Sequence, residues 1–312
     1  MSSLHADLCG IPLAHPLVNG SGTLDALAAG TLGLAAFVTK TVTLNPRAGN
    51  PPPRIAETPS GMVNSIGLAN PGLERFCADH LPRLGELGVP VVVSVGGWSH
   101  DEYAEAVRRV SADPATAAVE LNVSCPNVET GCISIGTDPD ETRALVELCR
   151  SLTDLPVFAK LSPSVADVAV IATAAAEGGA DGLVLVNTVR GIAIHRDTLR
   201  PLLGGGGGGL SGPAIKPVAL HAVHASYAAT GLPIVGMGGL ANTQDCIEML
   251  AAGATAVGLG TALFRDPGLP SRIVAELPSE LGRRGFPDVA AVRGIAHQID
   301  TEAQPELDGL QR

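Results

Sequence analysis

The chain has 312 residues, 46% hydrophobic and 16% charged, enough apolar material for a large core and too little charge for a disordered polymer. A formal net charge of −11 opposes binding to nucleic-acid phosphates and anionic lipid headgroups, so neither partner is expected. Six scattered cysteines without a C-x-x-C pair offer no local zinc or iron–sulfur ligand spacing. With no signal-like start and no apolar run of ~18 residues, the expectation is a cytoplasmic protein with reduced thiols.

Along the chain, short apolar runs rich in Val, Ala and Leu alternate with helix-like stretches. Strands are expected at Pro16–Ser21, Ala35–Thr41, Pro90–Gly96, Ala118–Ser124, Pro156–Ser162, Gly182–Thr188, Pro233–Gly238 and Ala256–Gly260, each apolar enough for burial on both faces. Helices are expected at Leu73–Leu87, interrupted by Pro82, and at Asp101–Ser111, Asp140–Leu152, Val165–Glu177, Ile215–Ala229 and Asn242–Ala252. Eight βα units predict a single (β/α)8 TIM barrel over residues 1–312, with its active site at the C-terminal ends of the strands. Two segments break the pattern: Thr43–Leu68, with five prolines, and Val189–Leu210, which contains the run Gly204–Gly209. Both follow strand C-termini, where long loops carry function; the glycine run reads equally as a flexible linker.

Polar groups gather at those strand ends: Asn19, Lys40, Ser94, Asn122, Lys160, Asn187 and Thr188. A lysine closing an apolar strand needs an anion or solvent, so Lys40 and Lys160 suggest an anionic ligand, or two side chains reaching a wet rim. Gly238 and Gly239, with Gly260 and Thr261, follow the last two strands, where barrels often bind phosphate on main-chain N–H groups; tight turns are the alternative. In ELNVSCPN, Cys125 stands just past a buried strand between Asn122 and Asn127, a setting for a base or nucleophile. Cys9, Cys77, Cys149 and Cys246 read as small buried hydrophobes, and Cys132 stays open. The eight histidines show no metal spacing, and no G-x-S-x-G elbow is present.

Taken together, NGSGT (Asn19–Thr23), TKTVTLNPRAGNPPPR (Thr39–Arg54), NSIGLANPG (Asn64–Gly72), ELNVSCPN (Glu120–Asn127), AKLSP (Ala159–Pro163), VNTVRGIAI (Val186–Ile194), GLSGPAIKP (Gly209–Pro217), GMGGL (Gly236–Leu240) and GLGTALF (Gly258–Phe264) resemble the dihydroorotate dehydrogenases. The resemblance implies FMN-dependent oxidation of (S)-dihydroorotate to orotate in pyrimidine (UMP) synthesis, with hydride transfer to N5 of FMN. Cys125 stands where class 1 enzymes carry their catalytic base. Lys40, Asn64, Ser65, Ile66, Gly67, Leu68, Asn122, Asn127, Asn187 and Thr188 would hold the substrate. Ser21, Lys40, Thr41, Ser94, Asn122, Lys160, Val186 and Gly212 would line the FMN, and Gly238, Gly239, Gly260 and Thr261 would take its phosphate.

TVRGIAI after Asn187 is most similar to the NAD-linked type B catalytic subunit, although the glycine run and His195 depart from that pattern. Type B implies a homodimer joined to a subunit carrying FAD and an iron–sulfur cluster, a heterotetramer that passes electrons to NAD+. The alternatives are a flavin barrel like that of dihydropyrimidine dehydrogenase, and a non-catalytic barrel that binds a phosphorylated ligand.

Overall fold

A computed structural model describes residues 2–124 and 135–298. Two strands, β1 (Ala6–Leu8) and β2 (Ile11–Leu13), form an antiparallel hairpin. Then come β3 (Leu17–Asn19), β4 (Phe37–Val38), β5 (Ile55–Thr58), β6 (Gly61–Asn64), β7 (Val91–Val95), β8 (Thr116–Asn122) and β9 (Val157–Lys160). The series ends with β10 (Gly182–Leu185), β11 (Val189–Gly191), β12 (Gly208–Ser211), β13 (Ile234–Met237) and β14 (Ala256–Leu259).

Eight of these pair in parallel in the order β3-β14-β13-β10-β9-β8-β7-β4. A bridge between Val18 and Ala36 closes the ring. The eight expected strands are the eight barrel strands, seven of them shorter than their apolar runs and β8 equally long but begun two residues earlier. At the seam, Asn19 replaces missing ladder bonds: its Nδ2 donates to Val38 O and its Oδ1 accepts from Val38 N, both at 2.7 Å. Asn19 therefore closes the barrel instead of reading a ligand.

Period-two alternation sorts each strand. Val91, Val93, Val95, Val119, Leu121, Val157 and Ala159 pack in the cluster shared with the helices. Val92, Ala118 and Phe158 join the separate interior cluster with Val184, Val235 and Ala256. The hairpin residues Leu8, Ile11 and Leu13 belong to that interior cluster and plug the N-terminal end of the barrel. The same alternation turns Ser94, Glu120, Asn122 and Lys160 inward, so the interior is apolar at the base and polar at the top.

The expected helices are present as His100–Ser111, Pro139–Arg150, Val168–Glu177, Lys216–Thr230 and Thr243–Ala251. Ser99, Asp138, Asp167 and Asn242 each accept a hydrogen bond from a first-turn N–H, the capping their residue types suggest, worth about 1 kcal/mol apiece. The first helix is broken into Leu73–Arg75, a π-helical turn Phe76–His80 and Leu81–Gly85. A further helix, Leu269–Arg283, holds Pro278 in its interior. No helix among the described residues is long and apolar enough to cross a membrane.

The two irregular segments fold onto each other. Strands β5 and β6 from the first and β11 and β12 from the second make an antiparallel sheet, ordered β11-β12-β6-β5. The flexible-linker reading of Gly204–Gly209 is thereby corrected, because the run is packed against neighbouring main chain. Gly209 pairs with Asn64 and Gly208 with Gly191. A Cβ on Gly208 would overlap the Asn64 carbonyl, one on Gly204 the Pro51 carbonyl, and one on Gly209 the Thr188 hydroxyl. Glycine is needed here for close approach, not for flexibility. Gly209→Ala is expected to push Thr188 aside and cost about 1–3 kcal/mol, measurable as a lowered midpoint in urea unfolding.

Candidate active site

Above the polar top of the barrel lies a cavity of about 950 Å³, large for a small-molecule site. It is walled by the strand ends and by the antiparallel sheet, which contributes Ile55, Glu57, Met62, Asn64 and Ser211. Of the residues expected in the site, the structure brings Ser21, Lys40, Thr41, Asn64, Ile66, Gly67, Leu68, Asn122, Lys160, Val186, Asn187, Thr188, Gly212, Gly238, Gly239, Gly260 and Thr261 to this one cavity.

Two others stand behind its wall. Ser65 is buried and its hydroxyl accepts from Asn50 Nδ2 at 2.7 Å, which anchors the 64–68 segment from the rear. Ser94 is fully buried, bonded to Glu120 and Thr41. Cys125, Asn127 and Cys132 lie outside the described residues.

At the barrel top the register sets Ser94 beside Glu120 and Asn122 beside Lys160. Lys160 is 5% exposed and Glu120 1%, with Nζ and Oε1 3.7 Å apart. Each buried charge is offset by the other, a condition for keeping either inside. Glu120 was not singled out from the sequence, yet its signal was there: residues 118, 120 and 122 share a face, and this one is charged.

Lys40 lies two residues past β4 with its aliphatic stem across Gly22, where a Cβ would sit 2.6 Å from Lys40 Cδ. Asn187 Nδ2 donates to Ser124 Oγ at 2.9 Å, and Asn187 Oδ1 accepts from the Thr188 N–H at 2.8 Å. His195, by contrast, is exposed and only braces its own turn, its Nδ1 accepting from the N–H groups of Asp197 and Thr198.

The far end of the cavity is main chain. Gly238 and Gly239 have φ of 132° and 78°, and Cβ atoms there would press on Ala219 Cβ and Lys216 N at 2.7 and 2.6 Å. Gly212, at φ 96°, sits equally close to Gly61 Cα. Thr261 and Ser211 hydroxyls meet at 2.6 Å beside them. A cradle without side chains next to hydroxyls fits a phosphate, and the buried lysine at the opposite end fits an electron-rich ring edge; an FMN-shaped ligand satisfies both.

The four described thiols stand outside the cavity lining, Cys149 and Cys246 buried as expected and Cys9 and Cys77 only half-buried. Burial pushes Cys149 and Cys246 up to about 12, and Cys9 likewise, with Asp181 and Asp7 adding to the rise. At pH 7.5 the folded protein is expected to leave Cys149 and Cys246 unlabelled by a maleimide, both reacting once denatured; rapid labelling of either in the native protein would contradict their burial. Because a raised thiol value favours the neutral folded form, these two sites hold their stability below the ordinary value of 9.0 and lose it progressively between there and about 12.

The family model for dihydroorotate dehydrogenase matches residues 3–281. A relative from Desulforudis audaxviator, a "Dihydroorotate dehydrogenase B (NAD(+)), catalytic subunit", is 48% identical over 296 residues, covering 93% of this chain and 96% of its own. A protein of the same name from Anoxybacillus flavithermus is 43% identical over 299 residues, covering 94% and 96%. A crystal structure of an Eimeria tenella protein in complex with ferulenol superposes with a TM-score of 0.81 at 24% identity, over 95% of this chain and 89% of that one, which establishes likeness of fold.

Proposed function

The chain belongs to the dihydroorotate dehydrogenase family and is an oxidoreductase; from that premise we propose that it oxidises dihydroorotate to orotate in pyrimidine synthesis, with FMN as resident cofactor and Cys125 as base. The observation that carries this reading is one cavity joining a buried, inward-facing lysine to a glycine cradle, with the substrate-type asparagines between them. FMN, when bound, supplies the acceptor for the hydride leaving C6 of the substrate.

The protein's own part is placement and charge. Cys125 would take the C5 proton as its thiolate. Asn64, Asn122, Asn127 and Asn187 match the pyrimidine's carbonyl and amide groups, since each amide side chain offers a donor and an acceptor. Lys40, on its short tether past β4, matches the carboxylate. Lys160 holds a fixed positive charge at the barrel top, where negative charge collects during the reaction, and a prearranged charge in a dry site needs no reorganisation. The antiparallel sheet excludes water from above.

The type B likeness supports a second subunit as partner, which in this reading carries the electrons onward. Purified alone, the protein is expected to be yellow and to be bleached anaerobically by dihydroorotate and not by dihydrouracil. Turnover with NAD+ is expected only with a co-expressed iron–sulfur flavoprotein. A colourless protein that refuses FMN overturns the flavin reading, bleaching by dihydrouracil alone moves the substrate, and failure with NAD+ in the presence of the partner overturns the type B assignment.

A further inference from the structure

Glu120 has no part in the chemistry just described beyond its charge, yet the hydrogen bonds at the barrel top all run toward it. Ser94 Oγ gives its single proton to Glu120 Oε1 at 2.8 Å. With that proton committed, the 3.0 Å contact between the Ser94 and Thr41 hydroxyls has one sense, Thr41 donating. Thr41 Oγ1 in turn accepts from Asn122 Nδ2 at 2.9 Å. That choice directs Asn122 Oδ1 to Ser124, whose hydroxyl donates to it at 3.0 Å. Ser124 Oγ then accepts from Asn187 Nδ2 at 2.9 Å. Every bond from Asn187 to the carboxylate points the same way, and such chains polarise one another.

Resting on the functional reading above, we propose that Glu120 is a positioning residue with two effects: as terminal acceptor of this one-way chain it holds, together with the main-chain N–H of Ser124, the way the Asn122 amide faces the substrate, and as partner of Lys160 it moderates the charge felt by the flavin. Both effects pass through Oε1, and they separate because one needs its charge and the other only its lone pairs. The chain leaves through Ser94 and the charge pairing goes directly to Lys160. A glutamine oxygen in the place of Oε1 still accepts from Ser94 and faces the Lys160 ammonium, so Glu120→Gln keeps the chain and removes only the charge.

In the FMN-loaded protein, orotate affinity is read from the shift it causes in the flavin spectrum, and the flavin's midpoint potential from a reductive titration. Glu120→Gln is expected to leave orotate affinity within about twofold of the parent and, by leaving Lys160 unopposed, to shift the flavin equilibrium about tenfold toward the reduced form, roughly 30 mV for two electrons. Ser94→Ala, which cuts the chain and spares the ion pair, is expected to weaken orotate at least tenfold while moving the potential equilibrium less than twofold. Orotate binding within twofold of the parent in Ser94→Ala overturns the chain; an unmoved potential in Glu120→Gln overturns the charge role. Should Glu120→Gln fail to fold, Ser94→Ala decides on its own, unchanged orotate affinity refuting the chain. If the parent protein itself takes no FMN or is not reduced by dihydroorotate, the functional reading fails, which is a separate result.

Discussion

Cys125→Ser lowers dihydroorotate turnover at neutral pH by about 10²-fold or more, the usual weight of a general base, and recovers part of it as pH rises. A serine hydroxyl is a far weaker acid than a thiol, so less of it is available as base, and raising the pH restores some of that deficit. Cys125 follows Ser124, which is itself held from two sides by Asn122 and Asn187. Substrate affinity is therefore expected to change little, and the loss to fall on the rate of flavin bleaching. Measured by anaerobic stopped flow, full-speed bleaching by the serine variant at neutral pH contradicts the base assignment.

Lys160→Met removes the one ion-pair partner, among the described residues, of a carboxylate that is 1% exposed. Breaking a buried pair from one side costs about 3–5 kcal/mol, chiefly through the charge left behind. The single variant is thus expected to unfold at markedly lower urea concentration and to retain little flavin. Adding Glu120→Met, which removes the stranded charge, is expected to restore most of the stability without restoring flavin reduction. Equal stability of parent and single variant would show that the two charges do not depend on each other.

Much of the molecule was legible from its residues. Parallel strands buried on both faces are continuous apolar runs, and all eight appear where such runs occur. Lys40 and Lys160 were conspicuous because a charge that ends an apolar strand demands an explanation. Less legible was whatever depends on partners distant in sequence. The sheet β11-β12-β6-β5 joins segments well over a hundred residues apart, and its proline and glycine content suppresses any local strand signal. The hairpin β1–β2 is only three residues a side and draws its stability from the barrel base it plugs. In Leu269–Arg283, Pro270 and Pro278 read as breaks, whereas the buried stripe Leu269, Ile273, Leu277 and Leu281 holds the helix together. Glu120 needed the inward face of β8 to be known before its charge acquired a meaning.

The claim on which the rest depends is spatial: a flavin along the cavity floor, the pyrimidine stacked on it, and Cys125 on the other side of that pyrimidine. A crystal structure of the FMN–orotate complex tests it directly. The account predicts the flavin phosphate against Gly238, Gly239, Gly260 and Thr261, Lys160 at the flavin's pyrimidine edge, and Cys125 Sγ facing C5 of orotate. Orotate bound with that sulfur turned into the protein interior, or a flavin bound anywhere but across the barrel top, would contradict it.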